Sequence, residues 1–487
     1  MVAVFESDMI NYKEKISRRC TMFKKEQRKA GIMGGIAIML LCIVICVPVA
    51  HVGAKELVVK VGVLMDQTGP LASPGRKGLS TWLWYQEYFN SEVGGWKDVK
   101  GNRVKLKVLY GDTGFQPART IALYKKFKAQ GAVAMANIGS VELAAIRAMC
   151  LSDQIPVFTN SGSLIYPLPS PAFGHWPDYS ACSAGVIDYI ADKWAKSQAP
   201  WTKKRRPRLA FIGPEGYPSW AASITPEVMR YAKLKGVDVV GCFFIPLRPI
   251  DTKPQILAAK TKGADFIYTG IVISQAGAVI RDLIKLGFKG DPTKEQGRIE
   301  PITMFPVPPK QLITMLEGRK DLVQGVVIVG AHGDPWSDAP AMRLIRKYAR
   351  KHGKLEVYDD NYVHEWWAAT RCCKAIELAL REVPANKLKG SDVMRAAFRI
   401  KDLDSGGVLP DPVTFTEEER IGIKRLRIDK IQGERRKLVG YFPYKMLAPM
   451  YTKEYAKAHG KKSIYSEQSL QWLSLSADEV GYERIKE

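Results

Sequence analysis

Histidine is scarce in this chain. There are six in 487 residues, at His51, His175, His332, His352, His364 and His459. None forms H-E-x-x-H or a comparable ligand spacing, which excludes the helix-borne zinc-hydrolase motif. Also missing are a G-x-S-x-G elbow, a Walker A phosphate loop and a G-x-G-x-x-G turn. The chain therefore carries no signature of a serine hydrolase, a nucleotide hydrolase or a dinucleotide enzyme. Cysteine is equally sparse. Of eight, Cys20, Cys42 and Cys46 precede or lie within an N-terminal apolar run. The remaining Cys150, Cys182, Cys242, Cys372 and Cys373 are odd in number, and their spacing fits neither a disulfide framework nor a metal site. They read as core filling, with a Cys182–Cys242 bridge the one pairing left open. Acidic residues are short as well: 49 Asp and Glu face 73 Lys and Arg, a net charge of +24. The basic residues are scattered, with no arginine-rich arm, zinc-finger spacing or RNP-like motif, so the excess argues against nucleic acid. It reads as a solubility feature, with an anionic ligand or a membrane surface as the alternatives.

Long hydrophobic runs are limited to one. A basic stretch at 22–29 (MFKKEQRK) leads into an apolar segment over 31–50, followed by the small residues Val52, Gly53 and Ala54. This order of charged, greasy and small residues predicts a secretory signal over 1–54, with the mature chain beginning at Lys55. About 20 apolar residues also suffice to span a bilayer, so an uncleaved N-terminal anchor is the alternative. Neither Cys42 nor Cys46 follows the small residue that lipid attachment requires. The chain is accordingly expected to work in the periplasm or outside the cell.

Beyond residue 55 the pattern alternates. Apolar runs at 58–64, 104–110, 132–138 and 156–159 predict strands, with helices over 78–90, 117–130 and 141–150 between them. The helix over 117–130 starts on Pro117, where a missing N–H costs nothing. The cycle restarts with a helix over 179–195. Strands follow at 209–212, 238–244, 264–268, 302–305 and 323–329, interleaved with helices over 218–235, 253–262 and 274–286. After Gly330 come helices over 338–352, 362–380 and 391–398, then strands at 413–415 and 423–428, then a polar tail without clear period. Strands alternating with helices predict an α/β fold with parallel sheets covered on both faces. The roughly 430 residues suffice for two or three domains, and the restart of the cycle predicts two of similar build in tandem.

Several segments resemble, in order, the type 1 periplasmic binding proteins, and in particular the branched-chain amino acid (Leu/Ile/Val) binding proteins of ABC importers. They are VVKVGVLMDQTGPLASPGRKG, QPARTIALYKKFKAQGAVAMANIGSVELAAIRAM, IPVFTNSGS, FIGPEGYPSWAAS, ADFIYTGIVISQAGAVIRDLIKLGF, QGVVIVG and PVTFTEEERIGIKRLRI. The resemblance spans roughly residues 57–440. It implies two Rossmann-like lobes joined by three hinge crossings, with a ligand cleft between them. Lobe one is expected at 55–178 plus 331–425, lobe two at 179–330 plus 426–445, and a C-terminal extension at 446–487. The implied function is that of an extracytoplasmic substrate-binding protein, amino acid transport being the nearest case. The implied partners are a small organic ligand and an ABC permease; no cofactor, metal or catalysis is expected, and the chain is expected to be a monomer. The alternatives are a membrane-anchored ligand-sensing ectodomain and, further off, a hydrolase.

The resemblance also assigns residues. Gly139 and Ser140 open a helix after the fourth strand, where free amides and a hydroxyl suit a carboxylate. Ser161 and Ser163 match a second ligand loop, Tyr217 a residue of the facing lobe, and Tyr362 an aromatic pocket position. Read alone, Ser140 is equally a helix cap, the serine pair a turn, and either tyrosine core packing. Trp336, Trp366 and Trp367 add aromatic character, at least one of the last two as core. The acidic position that holds an amino acid's ammonium falls on the apolar Val307, and a second aromatic position falls on Ile271; Asp66 or Glu215 would have to substitute for the acid. The overall expectation is an amino acid, a carboxylate or an amide, and the missing acid points to a ligand without an α-ammonium: a simple carboxylate, an amide or an aromatic acid. His332 and Asp334 lie near an expected crossing. His364 and Glu365, adjacent on one helix, read as solvated.

Overall fold

The computed structural model describes residues 57–476 apart from 138, 163, 164, 271, 272, 305 and 306. The expected signal or anchor and the cleavage point at Lys55 lie outside the described residues, as do Ser163 and Ile271. Among the described residues no helix is long and apolar enough to cross a membrane.

Two sheets organise the body. The first has the order β2-β3-β1-β4-β5-β6. Its strands are β1 (Leu57–Met65), β2 (Trp96–Lys97), β3 (Arg103–Asp112), β4 (Ala132–Asn137), β5 (Val157–Thr159) and β6 (Ala172–Phe173). All pairs are parallel except β2–β3. The central β1 is a near-continuous apolar run because both of its faces are covered. By contrast β3 alternates, with Val104, Leu106 and Val108 inward and Lys105 and Lys107 outward. Only the two-residue β2 lies beyond it.

The second sheet has the order β13-β12-β11-β10-β9-β7-β8. Its strands are β7 (Arg208–Pro214), β8 (Asp238–Ile245), β9 (Phe266–Thr269), β10 (Glu300–Met304), β11 (Val327–Gly330), β12 (Arg425–Gln432) and β13 (Arg435–Pro443). Strands β7 to β11 run parallel, and β12 and β13 close the sheet antiparallel. The β12–β13 turn passes through Gly433 at φ +63°, a backbone geometry that favours glycine.

Helices α1 (Ala72–Tyr88), α2 (Pro117–Ala129) and α3 (Ser140–Ser152) serve the first sheet. Helices α4 (Tyr179–Lys196), α5 (Pro218–Ala221), α6 (Pro226–Leu234), α7 (Lys253–Thr261), α8 (Ile273–Lys285) and α9 (Pro309–Met315) serve the second. The chain then returns: α10 (Pro340–Lys351), α11 (Asp360–Leu380) and α12 (Gly390–Ala397) pack into the core of the first lobe. The chain thus passes between the sheets three times, after β6, after β11 and before β12.

The helix expected over 218–235 is broken. Pro226 cannot donate to a continuing ladder, and Thr225 accepts from the Val228 amide to start α6 afresh. The strand expected at 413–415 shrinks to a single bridge, Leu403 to Val413. The tail contains two short helices, α13 (Lys453–Ala458) and α14 (Glu467–Leu473), capped by Thr452 and Ser466. The tail engages both lobes. Met446, Tyr451 and Ala456 join the first core, and Leu447 and Leu473 the second. The Cys182–Cys242 bridge is absent: both thiols are free, Cys182 buried on α4 and Cys242 exposed on the edge strand β8.

Candidate functional site

The site forms where strand ends of the two lobes face each other, outside the carboxyl edges of the parallel strands. On the first lobe, α3 opens at Ser140 with Gly139 as its N-cap in extended backbone, φ −104° and ψ 147°. No N-cap side chain closes this helix start. Instead the Glu142 side chain turns back toward it. A Cβ on Gly139 would lie 1.7 Å from Glu142 Oε2, so only glycine leaves room for the carboxyl. The Thr113 hydroxyl, just beyond β3, donates to Glu142 Oε1 at 3.0 Å. Oε2 is buried and accepts no hydrogen bond among the described residues. Burial pushes this carboxyl up to about 7, against the pull of Thr113 and of the residue's own amide, with the nearby Asp66 adding to the rise.

The second lobe contributes Tyr217, at the N-cap of α5. The Ser140 hydroxyl donates to the Tyr217 oxygen at 3.4 Å, a contact that crosses between lobes. The Phe115 ring lies parallel to that of Tyr217 at 6.4 Å. Burial raises the Tyr217 hydroxyl above its ordinary range, and the proximity of Glu142 adds to it. Other contacts that join the lobes include Arg248 Nη2 to the Gly69 carbonyl at 3.5 Å and Lys310 Nζ to the Glu356 carbonyl at 3.0 Å.

Of the residues expected from sequence, Gly139, Ser140 and Tyr217 are brought together. Ser161 follows β5, the parallel neighbour of β4, and its buried Oγ has no partner among the described residues. No described contact joins Tyr362 to Ser140, Ser161 or Tyr217; its ring stacks on Trp84 at 5.0 Å and Tyr358 at 5.8 Å within the first core. Trp366 and Trp367 are both buried in that core, while Trp336 packs at its margin. Val307 is buried in the core of the second lobe. Neither candidate substitute for the missing acid is available. Asp66 is consumed by the amides of Thr68, Gly69 and Leu71, and Glu215 is exposed. The acid beside the cleft residues is Glu142, which sequence reasoning missed. A signal was present, because Glu142 stands three residues after the N-cap, the capping-box position.

Beside the crossings lies a second polar group. His175 follows β6, His332 follows β11, and His364 stands on α11; all three are buried. Their ring centroids lie 4.3 Å (His332–His364), 5.1 Å (His175–His332) and 5.6 Å (His175–His364) apart. Burial above all holds the three well below the ordinary imidazole range; the Arg371 guanidinium adds to this for all three, and that of Arg436 for His332 and His364. Arg371 donates to His175 Nδ1 and to the Gly174 carbonyl. Glu365 is buried rather than solvated. It accepts from Trp82 Nε1 at 2.8 Å and from Asn160, and burial pushes it up to about 7. Asp334 pairs with Arg435 at 2.6 Å.

Comparison with known proteins agrees with this architecture. Similar solved structures include a branched-chain amino acid ABC transporter protein of Thermus thermophilus with bound valine: TM-score 0.66, 17% identity, covering 83% of this chain and 99% of that one. A fatty acid ABC transporter substrate-binding protein of Thermomonospora curvata gives a TM-score of 0.65 at 20% identity, over 81% of this chain and 96% of that one. A solute-binding protein of R. palustris in complex with 4-hydroxybenzoate gives 0.61 at 17%, over 80% and 98%. A search of curated protein sequences finds no match. The model of the family described as periplasmic binding protein matches residues 58–435, and the chain belongs to that family.

Proposed function

We propose that this chain is an extracytoplasmic substrate-binding protein that closes its two lobes on one small organic ligand and delivers it to an ABC permease. The Ser140–Tyr217 contact carries the reading, because it brings a helix start on one lobe and an aromatic hydroxyl on the other to one point. Gly139, Ser140, Ser161, Ser163, Tyr217 and Tyr362 are the proposed ligand-binding residues, and Glu142 joins them. Its Oε2 is a buried oxygen that makes no hydrogen bond among the described residues. Ionised, it accepts from a ligand N–H or O–H group, as an amino acid or an amide supplies; protonated, it donates to a ligand carboxylate. The relatives named above hold valine and 4-hydroxybenzoate, or are described as handling fatty acids, so this architecture accommodates varied small molecules.

The proposed division is lobe one at 55–178 plus 331–425, lobe two at 179–330 plus 426–445, and a C-terminal extension at 446–487. Opening is a hinge motion about the three crossings. The extension attaches to both lobes: the Leu168 amide donates to the Met450 carbonyl at 2.8 Å, and Arg230 donates to the Leu473 carbonyl at 2.6 Å. It therefore travels with the motion or limits it. Export by residues 1–54 and action as a monomer complete the proposal.

A thermal-shift screen of amino acids, amides and carboxylates tests it. A ligand at 100 times its Kd adds about 2.7 kcal/mol of stability. Turnover of an ester or amide substrate, with no small molecule raising the melting temperature, overturns the reading.

A further inference from the structure

We propose that His175, His332 and His364 form a binding site for one divalent transition-metal ion of the kind imidazole prefers, zinc foremost, where the hinge crossings meet α11. One nitrogen from each ring can be chosen so that all three lie within 4.8 Å of one another. Around tetrahedral zinc, with Zn–N near 2.0 Å, the same nitrogens stand about 3.3 Å apart, so small side-chain rotations close the gap. The residues come from separate parts of the chain: one crossing, the next crossing and a helix of the returning segment.

Burying three imidazoles side by side is costly for a core that needs only packing, since each ring carries a donor and an acceptor that must be served. The cost becomes intelligible if the nitrogens converge on an ion. Nε2 of His175 is buried and makes no hydrogen bond among the described residues, while Nδ1 of the same ring is taken by Arg371. The free nitrogen is thus the one left for a metal. The donor set also selects the class. Three nitrogens and no carboxylate suit zinc, nickel, copper or cobalt, and do not suit calcium or magnesium, which take oxygen. Three protein ligands leave a fourth position for water.

Two features oppose the ion and define what it must displace. Arg371 and Arg436 place positive charge nearby, and Arg436 lies 2.8 Å from the Asp360 carboxyl. In the metal-free protein the Arg371 bond to His175 Nδ1 puts the ring's hydrogen on Nε2. Metal uptake there shifts that hydrogen to Nδ1, and the Arg371 Nη2 group turns away. Its bonds to the Gly174 and Trp367 carbonyls keep the guanidinium anchored. A bound ion would tie the two crossings to α11 and stiffen the hinge.

The test uses the full chain, stripped with a chelator and titrated with Zn2+ and with Co2+. The expected result is one equivalent of zinc per chain, a melting temperature raised by Zn2+ but not by Mg2+ or Ca2+, and visible d–d bands from the cobalt form. Replacing a ligand costs more than disturbing a residue behind one, so His332→Ala and His364→Ala should each weaken uptake by at least about 100-fold. His352→Ala and His459→Ala, at exposed positions, should leave it unchanged. X-ray absorption of the zinc-loaded wild type needs no variant and should report imidazole nitrogens at about 2.0 Å. A stripped wild type that takes up no zinc, uptake that survives loss of His332 and His364, or a first shell of sulfur or of oxygen alone overturns the proposal.

Discussion

Replacing Glu142 by glutamine separates its charge from its shape. The carboxyl titrates near 7 in the folded protein against an ordinary 4.5, chiefly because it is buried. A carboxyl with a raised folded pKa holds its proton more tightly when folded. The stability it contributes is complete below 4.5 and is lost as pH climbs through 7. The gap is worth about 3 kcal/mol. Glutamine keeps an acceptor for Thr113 Oγ1 and never ionises. The ligand-free variant should therefore gain on the wild type by about 3 kcal/mol as pH rises through that window, and the difference should level off above it. Any fixed cost of seating an amide beside Gly139 shifts both ends of the series equally. Glu365, which also titrates near 7, is common to both proteins and cancels in the difference. The assay is thermal melting of both proteins, ligand-free, from about pH 4 to about pH 8.5. A difference that stays flat across that range would refute the reasoning, because the carboxyl would then have a partner in the folded protein that satisfies its charge.

Ser140→Ala removes a hydroxyl that faces Tyr217, and if that hydroxyl grips the ligand, affinity should fall roughly ten- to a hundred-fold by titration calorimetry; unchanged affinity with a lowered melting point leaves Ser140 as a helix-start residue only. A thiol reagent applied to the native protein should modify Cys242 and spare Cys150, Cys182, Cys372 and Cys373 until the chain unfolds, as mass mapping would reveal, since only the first is exposed. N-terminal sequencing of exported protein should begin at or near Lys55; recovery only of intact chain in the membrane fraction would instead favour the anchor.

How far the structure could be read in advance follows from which forces act locally. The parallel strands were legible because burial on both faces leaves continuous apolar runs such as LVVKVGVLM in β1. The interruption at Pro226 was legible in principle, since a proline with a threonine before it is a helix start, yet the apolar period running across it suggested a single helix. The hairpin of β12 and β13 was only half visible, because most of β13, RRKLVGYFP, is exposed, its apolar Leu438, Val439 and Tyr441 included, so no buried face sets a period of two. At the site, Gly139, Ser140 and Tyr217 came from motif order, which preserves where strand ends lead. Glu142 was hidden by the assumption that a ligand fills the start of α3, whereas the chain's own carboxyl lies there. His364 and Glu365 were read as solvated because periodicity assigns polar residues to the outside of a helix. That rule fails for α11, which packs against α1, α12 and the first sheet and is covered on nearly every side. On such a helix polarity no longer marks the exposed face. It marks places where the surrounding chain supplies partners: Trp82 and Asn160 for Glu365, and the crossings that carry His175 and His332 for His364. Those partners are distant in sequence, so only the path of the chain through its crossings brings them together.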